Sequence, residues 1–127
     1  MITLGMGSLA DVSLLISQGS TNTYSFVYSR MIAGVKTAVN LSGFTVKSQI
    51  RARVGGPLYL QLDPYITLGA DGSVTLLIPA SVTQAPEWDA WRSGVWDMEL
   101  TETSSGVVVR FVSGLVTVSA DVTRVDV

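Results

Sequence analysis

Chemistry in this chain must come from carboxylates, hydroxyls, amines or aromatic faces, because it contains neither histidine nor cysteine. Two acid pairs stand out: Glu87 with Asp89, and Asp97 with Glu99. Paired carboxylates can cleave a glycosidic bond, one donating a proton while the other acts as nucleophile or base. Asp97 and Glu99 are two apart in an alternating stretch, so both point to the polar face of a strand. Acids placed there are ordinarily solubilising side chains, and the spacing has no catalytic specificity. The expectation is a protein that is not an enzyme.

The tryptophans offer a different chemistry. Trp88 and Trp91 lie in an irregular stretch, where a pair of indoles could form a stacking platform for sugar rings or an anchor for a protein partner. The bland alternative is that they cap one end of the fold. Trp96 begins an alternating segment and is expected in the core. No metal is expected: zinc sites of the Cys/His type are impossible, and Asp63 and Asp71-Gly72 fit no calcium loop. Gly55-Gly56-Pro57 is a turn, since no Lys-Ser/Thr follows it as a phosphate loop requires. No cofactor is expected.

Positioning such residues takes a scaffold, and the composition says which kind. Of the 127 residues 47% are hydrophobic and only 14% charged, enough apolar side chain for a core and little charge to cover the outside. A mean hydropathy of +0.42 suits a subunit that buries part of its outside against neighbours. The 8 Lys+Arg and 10 Asp+Glu sum to −2, and the pI is near 4.8, which argues against nucleic acid as partner. The only small basic cluster, Lys47, Arg51 and Arg53, reads as the wet face of one strand. No apolar run is long enough to span a bilayer, so no membrane insertion is expected. Met1–Leu9 has neither a cationic start nor a sustained apolar stretch, so no signal peptide is expected.

The dominant period is two. Phe44, Val46, Ile50, Ala52 and Val54 lie on one face of a predicted strand, with Thr45, Lys47, Gln49, Arg51 and Arg53 on the other; Ser48 alone breaks the apolar row. After the Gly55-Gly56-Pro57 turn, Leu58, Leu60 and Leu62 resume the inward row, with Tyr59 and Gln61 outward. Ile66–Leu68 and Ser73–Ile78 follow, and since Leu76 and Leu77 are adjacent one must face away from the core. Residues 80–92 lose the period and contain Pro86, predicting a helical turn and a loop across one end. Gly94–Thr103 alternates with Trp96, Met98 and Leu100 inward. Ser104-Ser105-Gly106 turns the chain into Val107–Val112, and Ser113-Gly114 predicts a kink or bulge before Leu115–Ser119. Val12–Ile16, Tyr24–Tyr28 and Val35–Val39 add strands near the start, with Tyr24, Phe26 and Tyr28 as a core row.

About eight short strands separated by turns predict an all-β fold, a single antiparallel β-sandwich spanning residues 1–127. Leu77, Tyr59 and Val108 are apolar on predicted outer faces. With Trp88 and Trp91 they are the expected subunit contacts.

Three segments carry a family resemblance. NLSGFTVKSQIRARVGGPLYLQL (residues 40–62) resembles the D-L-T-G-Y-T-x-R-x-Q-I-R opening of small phage structural proteins, with Asn40 in place of the usual Asp and Lys47 a shifted cation. ITLGADGSVTLLIPASVT (66–83) and GVWDMELTETSSGVVVRFVSGLVTVSADVTR (94–124) resemble the two segments that follow it. The family is that of small tail-associated or baseplate proteins of bacteriophages, related to the N-terminal β-sandwich of siphophage upper baseplate proteins. The N-terminal third matches less well. The resemblance implies a non-catalytic virion building block, assembled in the host cytoplasm. It further implies contact with other tail, baseplate or fibre subunits and a homo-oligomeric state. Alternatives are a carbohydrate-binding host-adhesion module using Trp88 and Trp91, or a capsid decoration protein.

Overall fold

The computed structural model describes residues 2–5 and 10–123; part of the Met1–Leu9 stretch read above for a leader lies outside them. Among the described residues the strands are β1 (Ile2–Gly5), β2 (Ala10–Asp11), β3 (Leu14–Ser17), β4 (Asn22–Ile32), β5 (Val35–Ala38), β6 (Phe44–Arg51), β7 (Leu58–Gln61), β8 (Ile66–Leu68), β9 (Ser73–Ile78), β10 (Ser93–Glu102) and β11 (Val108–Ser119). A helical turn α1 (Ala80–Thr83) and a 3₁₀ turn (Pro86–Ala90) occupy the stretch that loses the period. One sheet runs β1-β4-β9-β8 with β5 also on β4; the other runs β2-β11-β10-β6-β7 with β3 also on β11.

The two sheets form an all-β sandwich. Their inner faces meet through Phe26, Tyr28, Val74, Leu76 and Ile78 from one side and Ile50, Trp96, Met98, Leu100, Phe111, Val112, Val116 and Val118 from the other, all buried in one cluster. Phe26 lies 6.2 Å from Trp96 and edge-on to Phe111 at 6.4 Å, a favoured aromatic geometry. As the adjacency requires, Leu76 is buried and Leu77 exposed.

The pairing is antiparallel within the sheets except along the N-terminal side. There β1 lies parallel to β4, and β2 and β3 lie parallel to β11. The expected single strand over Val12–Ile16 is two pieces on the same edge of β11. A close approach sits beside that break: a Cβ at Gly114 would collide with the Val12 carbonyl oxygen. Gly114 is therefore neither a kink nor a bulge; it makes room for the N-terminal backbone.

The irregularity of β11 lies earlier. Met98 pairs with Val112 but Glu99 pairs with Arg110, leaving Phe111 as an extra residue. Phe111 and Val112 are consequently both buried, and the parity of β11 switches at that point. β7 carries a second bulge: Ile50 pairs with Leu60 and Arg51 with Leu58, so Tyr59 has no partner. β6 also ends sooner than its alternation implies. Ala52 donates its N–H to Pro57 O at 2.9 Å and Gly56 to Arg53 O at 2.9 Å, which folds the chain into a turn and leaves Val54 91% exposed. Ser48, the break in the apolar row, is buried and donates its hydroxyl to Asp97 O at 2.6 Å, while its N–H donates to the Asp63 carboxylate at 2.7 Å.

Among the described residues the outer edge of β3 has no strand beside it at Leu15 and Ser17, and side chains from β4 of the other sheet take that place. Leu15 N–H donates to the Tyr24 hydroxyl at 2.7 Å, and that hydroxyl donates back to Leu15 O at 2.7 Å. Ser17 N–H donates to Asn22 Oδ1 at 2.9 Å, and Asn22 Nδ2 donates to Ser17 O and Ser20 O at 3.1 Å. Asn22 and Tyr24 are two apart on one face, so together they act as a surrogate strand that sews the sheets shut. Asn22→Ala removes three hydrogen bonds from a buried position and is expected to cost about 2–3 kcal/mol, whereas Tyr24→Phe at the wetter Leu15 costs about 1 kcal/mol. Urea unfolding of the two variants checks the order; equal losses would contradict it.

Candidate functional site

The end of the sandwich that carries α1 is closed by packing. Trp88 is only 2% exposed and belongs to the core. Trp91 stands edge-on to it at 4.9 Å and stacks face to face on Tyr59 at 4.3 Å and 13°. The bulge at Tyr59 is the cause. As an unpaired extra residue the tyrosine leaves the outer row and turns toward the end of the sandwich, where it covers one face of Trp91. Of the expected indole pair, Trp88 is buried and presents no face, while Trp91 is half-buried with one face covered by Tyr59. Hydrogen bonds hold this lid down. Gly19 N–H donates to Thr83 Oγ1 at 2.8 Å, Gln18 Nε2 to Asp89 Oδ1 at 2.8 Å, and Arg92 to the Trp88 and Trp91 carbonyls at 3.2 and 2.9 Å.

Exposed apolar residues gather at the opposite end. β4 and β5 form a hairpin whose two-residue turn, Ala33-Gly34, has φ of 49° and 78°, the left-handed pair that matches strand twist. Beyond the sandwich this hairpin exposes Met31 at 69%, Ile32 at 55% and Val35 at 62%. The β10–β11 hairpin ends at the same level, since Arg30 of β4 pairs with Glu102 of β10 at 3.8 Å, and it exposes Val107 and Val108. Val108 and Leu77, both expected outside, are exposed. The sequence reading does not single out Met31, Ile32 and Val35. Their signal is a Met-Ile pair and a Val flanking a two-residue turn, where no core remains for them to face.

Beneath this end Tyr28 is fully buried and its hydroxyl has no hydrogen-bond partner among the described residues. Burial pushes its phenol above the usual range; the nearby Arg30 guanidinium pulls the other way without overcoming it.

The acids considered for chemistry lie on the outer face of the six-stranded sheet. Asp97 is in register with Gln49 and Glu99 with Lys47, and Arg110 lies 3.9 Å from Asp97. An open groove of about 360 Å³ runs between β6 and β10, lined by Lys47, Gln49, Arg51, Gln61, Asp97 and Glu99. Gln49 donates to Gln61 at 2.7 Å, and Arg51 donates to Gln49 at 2.9 Å and to Gly56 O at 2.8 Å. Opposite charges interleave along this open face. Among the described residues no three acids gather to hold a metal ion, and no helix is long and apolar enough to cross a membrane.

No protein-family model and no curated protein matches the chain. Among solved structures, the N-terminal domain of ORF48 of phage TP901-1 is similar in trace, with 11% identity and a TM-score of 0.48 over 94% of this chain and 96% of that one. At that identity and score the likeness does not bear on function.

Trp88→Ala empties a core position and is expected to cost about 3–5 kcal/mol, well above Trp91→Ala, in thermal or urea unfolding. For Tyr28 the sign follows from burial. The folded state favours the neutral phenol, so its contribution is present below the ordinary phenol range, about 10, and is lost as pH rises through the folded value. Tyr28→Phe should leave neutral-pH stability within about 1 kcal/mol of the parent, the size of one net hydrogen bond. It should also flatten the alkaline loss, and a variant that tracks the parent throughout an alkaline denaturation series would refute the assignment.

Proposed function

We propose that this chain is a structural protein of a bacteriophage virion, a non-catalytic module of the tail or baseplate that holds neighbouring subunits. The observation that carries it is the hairpin end: Met31, Ile32, Val35, Val107 and Val108 are all about half exposed or more at one end of a closed sandwich. Side chains of this kind on two turns that no core can cover mark a docking surface rather than a solvated tip. The rest of the fold suits a passive role. Its opposite end is sealed by Trp88 and Trp91, and its carboxylates interleave with cations on an open face. The phage assignment rests on the sequence resemblance of residues 40–62, 66–83 and 94–124. On this reading the protein works in several copies, its partners are other virion subunits, and it is assembled before the particle leaves the host. Burial of Trp88 weighs against the adhesion alternative, which needs both indoles on the surface.

Labelling this protein in purified particles and imaging them should place it on the tail or baseplate; its absence from particles would overturn the assignment. A double variant, Met31→Asp with Val35→Asp, should keep its fold within about 0.5 kcal/mol per substitution, as exposed positions do. It should nevertheless be lost from purified particles, as read by immunoblot. Undiminished incorporation would move the docking surface elsewhere.

A further inference from the structure

The outer face of the six-stranded sheet has a pattern that the hairpin end does not explain. Read across β6 and β10, its central rows are Lys47 beside Glu99, Gln49 beside Asp97, and Arg51 beside Val95. Cations therefore occupy one strand and acids the next. Among the described residues neither Lys47 nor Glu99 enters an ion pair, although they are in register on adjacent strands. Flanking the Arg51–Val95 row are two exposed leucines, Leu58 of β7 at 45% and Leu115 of β11 at 64%, each the next residue outward in that row.

We propose that this face pairs with the same face of a second copy about a two-fold axis that runs along the strands between β6 and β10. Such an axis keeps each row at its own height and exchanges β6 with β10, and β7 with β11. Lys47 of one copy then lies over Glu99 of the other and Gln49 over Asp97, each contact made twice as an isologous interface demands. The same operation sets Leu58 over Leu115, so apolar meets apolar at the flank while charge meets opposite charge at the centre. The same rotation sets Arg51 over Val95, so the charge and amide complementarity lies in the Lys47–Glu99 and Gln49–Asp97 rows and the apolar contact in the flanking leucines. The groove beside the axis, lined from β7 across β6 to β10, has an open volume of about 360 Å³ that gives long side chains room. Aligned packing of two sheets face to face is an ordinary mode of β-sheet association.

This pairing rests on the multiple-copy part of the proposed function but uses a different surface, so the two can fail separately. The test is the mass in solution, by light scattering over a concentration series, of the parent chain, of Lys47→Glu and of Glu99→Lys. The parent should reach twice its 13.5 kDa. Each single variant should stay at monomer mass, since positions 47 and 99 then carry like charges across the interface. An equimolar mixture of the two should return to dimer mass, because in the mixed pair both contacts between these positions again join opposite charges. Circular dichroism confirms that both variants are folded. A parent that remains monomeric, or a mixture that fails to associate while both components are folded, overturns the pairing. Either result leaves docking by Met31 and Val35 to be judged on particles.

Discussion

Phe111 packs edge-on against both Phe26 and Tyr28, 6.4 and 5.8 Å away, and bridges the two sheets at their centre. At that contact β11 carries one residue more than β10 beside it. The extra residue lets two neighbours, Phe111 and Val112, both turn inward, and it reverses the parity of everything that follows. Val116 and Val118 are then inside, while Arg110 before the bulge and Leu115 after it are both outside. The outer face of the larger sheet, with its alternating charges and its exposed leucine, is therefore a consequence of how one aromatic ring is accommodated within.

The second bulge has the opposite result. At Tyr59 the unpaired residue removes an aromatic side chain from the outer row and sends it to the end of the sandwich, where it stacks on Trp91. The α1 end becomes a sealed lid over Trp88. With that end closed, and with Asn22 and Tyr24 covering the edge of β3, backbone and indole faces there are satisfied within the chain. What remains unsatisfied is apolar surface on the two hairpin tips and the outer sheet face. A chain with so few charges cannot cover such surfaces itself.

Much of this is legible in the residues. Alternation, broken only at Ser48 and Leu77, in Phe44–Arg51, Ser73–Ile78 and Gly94–Thr103 marks strands with one dry face, and side chains it assigns inward, such as Ile50, Met98 and Leu100, are buried, as is Leu76 of the adjacent Leu76–Leu77 pair. The loss of period near residue 80 locates the helical turns. Less legible are positions where the chain leaves the simple period. Val54 continues an apolar alternation but lies in a turn, and Tyr59 and Phe111 lie at bulges whose position depends on the partner strand. Gly114 looks like a local irregularity, yet its reason is the Val12 carbonyl of a distant segment.

By itself the order of residues determined that strands form, which turns separate them and which chemistries are absent, because alternation, proline, glycine and the lack of histidine and cysteine act locally. Only tertiary structure decided which apolar residues remain outside. Exposure depends on where a strand outruns the sandwich, as at Met31 and Val35, and on where a bulge shifts the register, as at Tyr59 and Leu115. Those are properties of a residue's neighbours in space, and a period of two is blind to them.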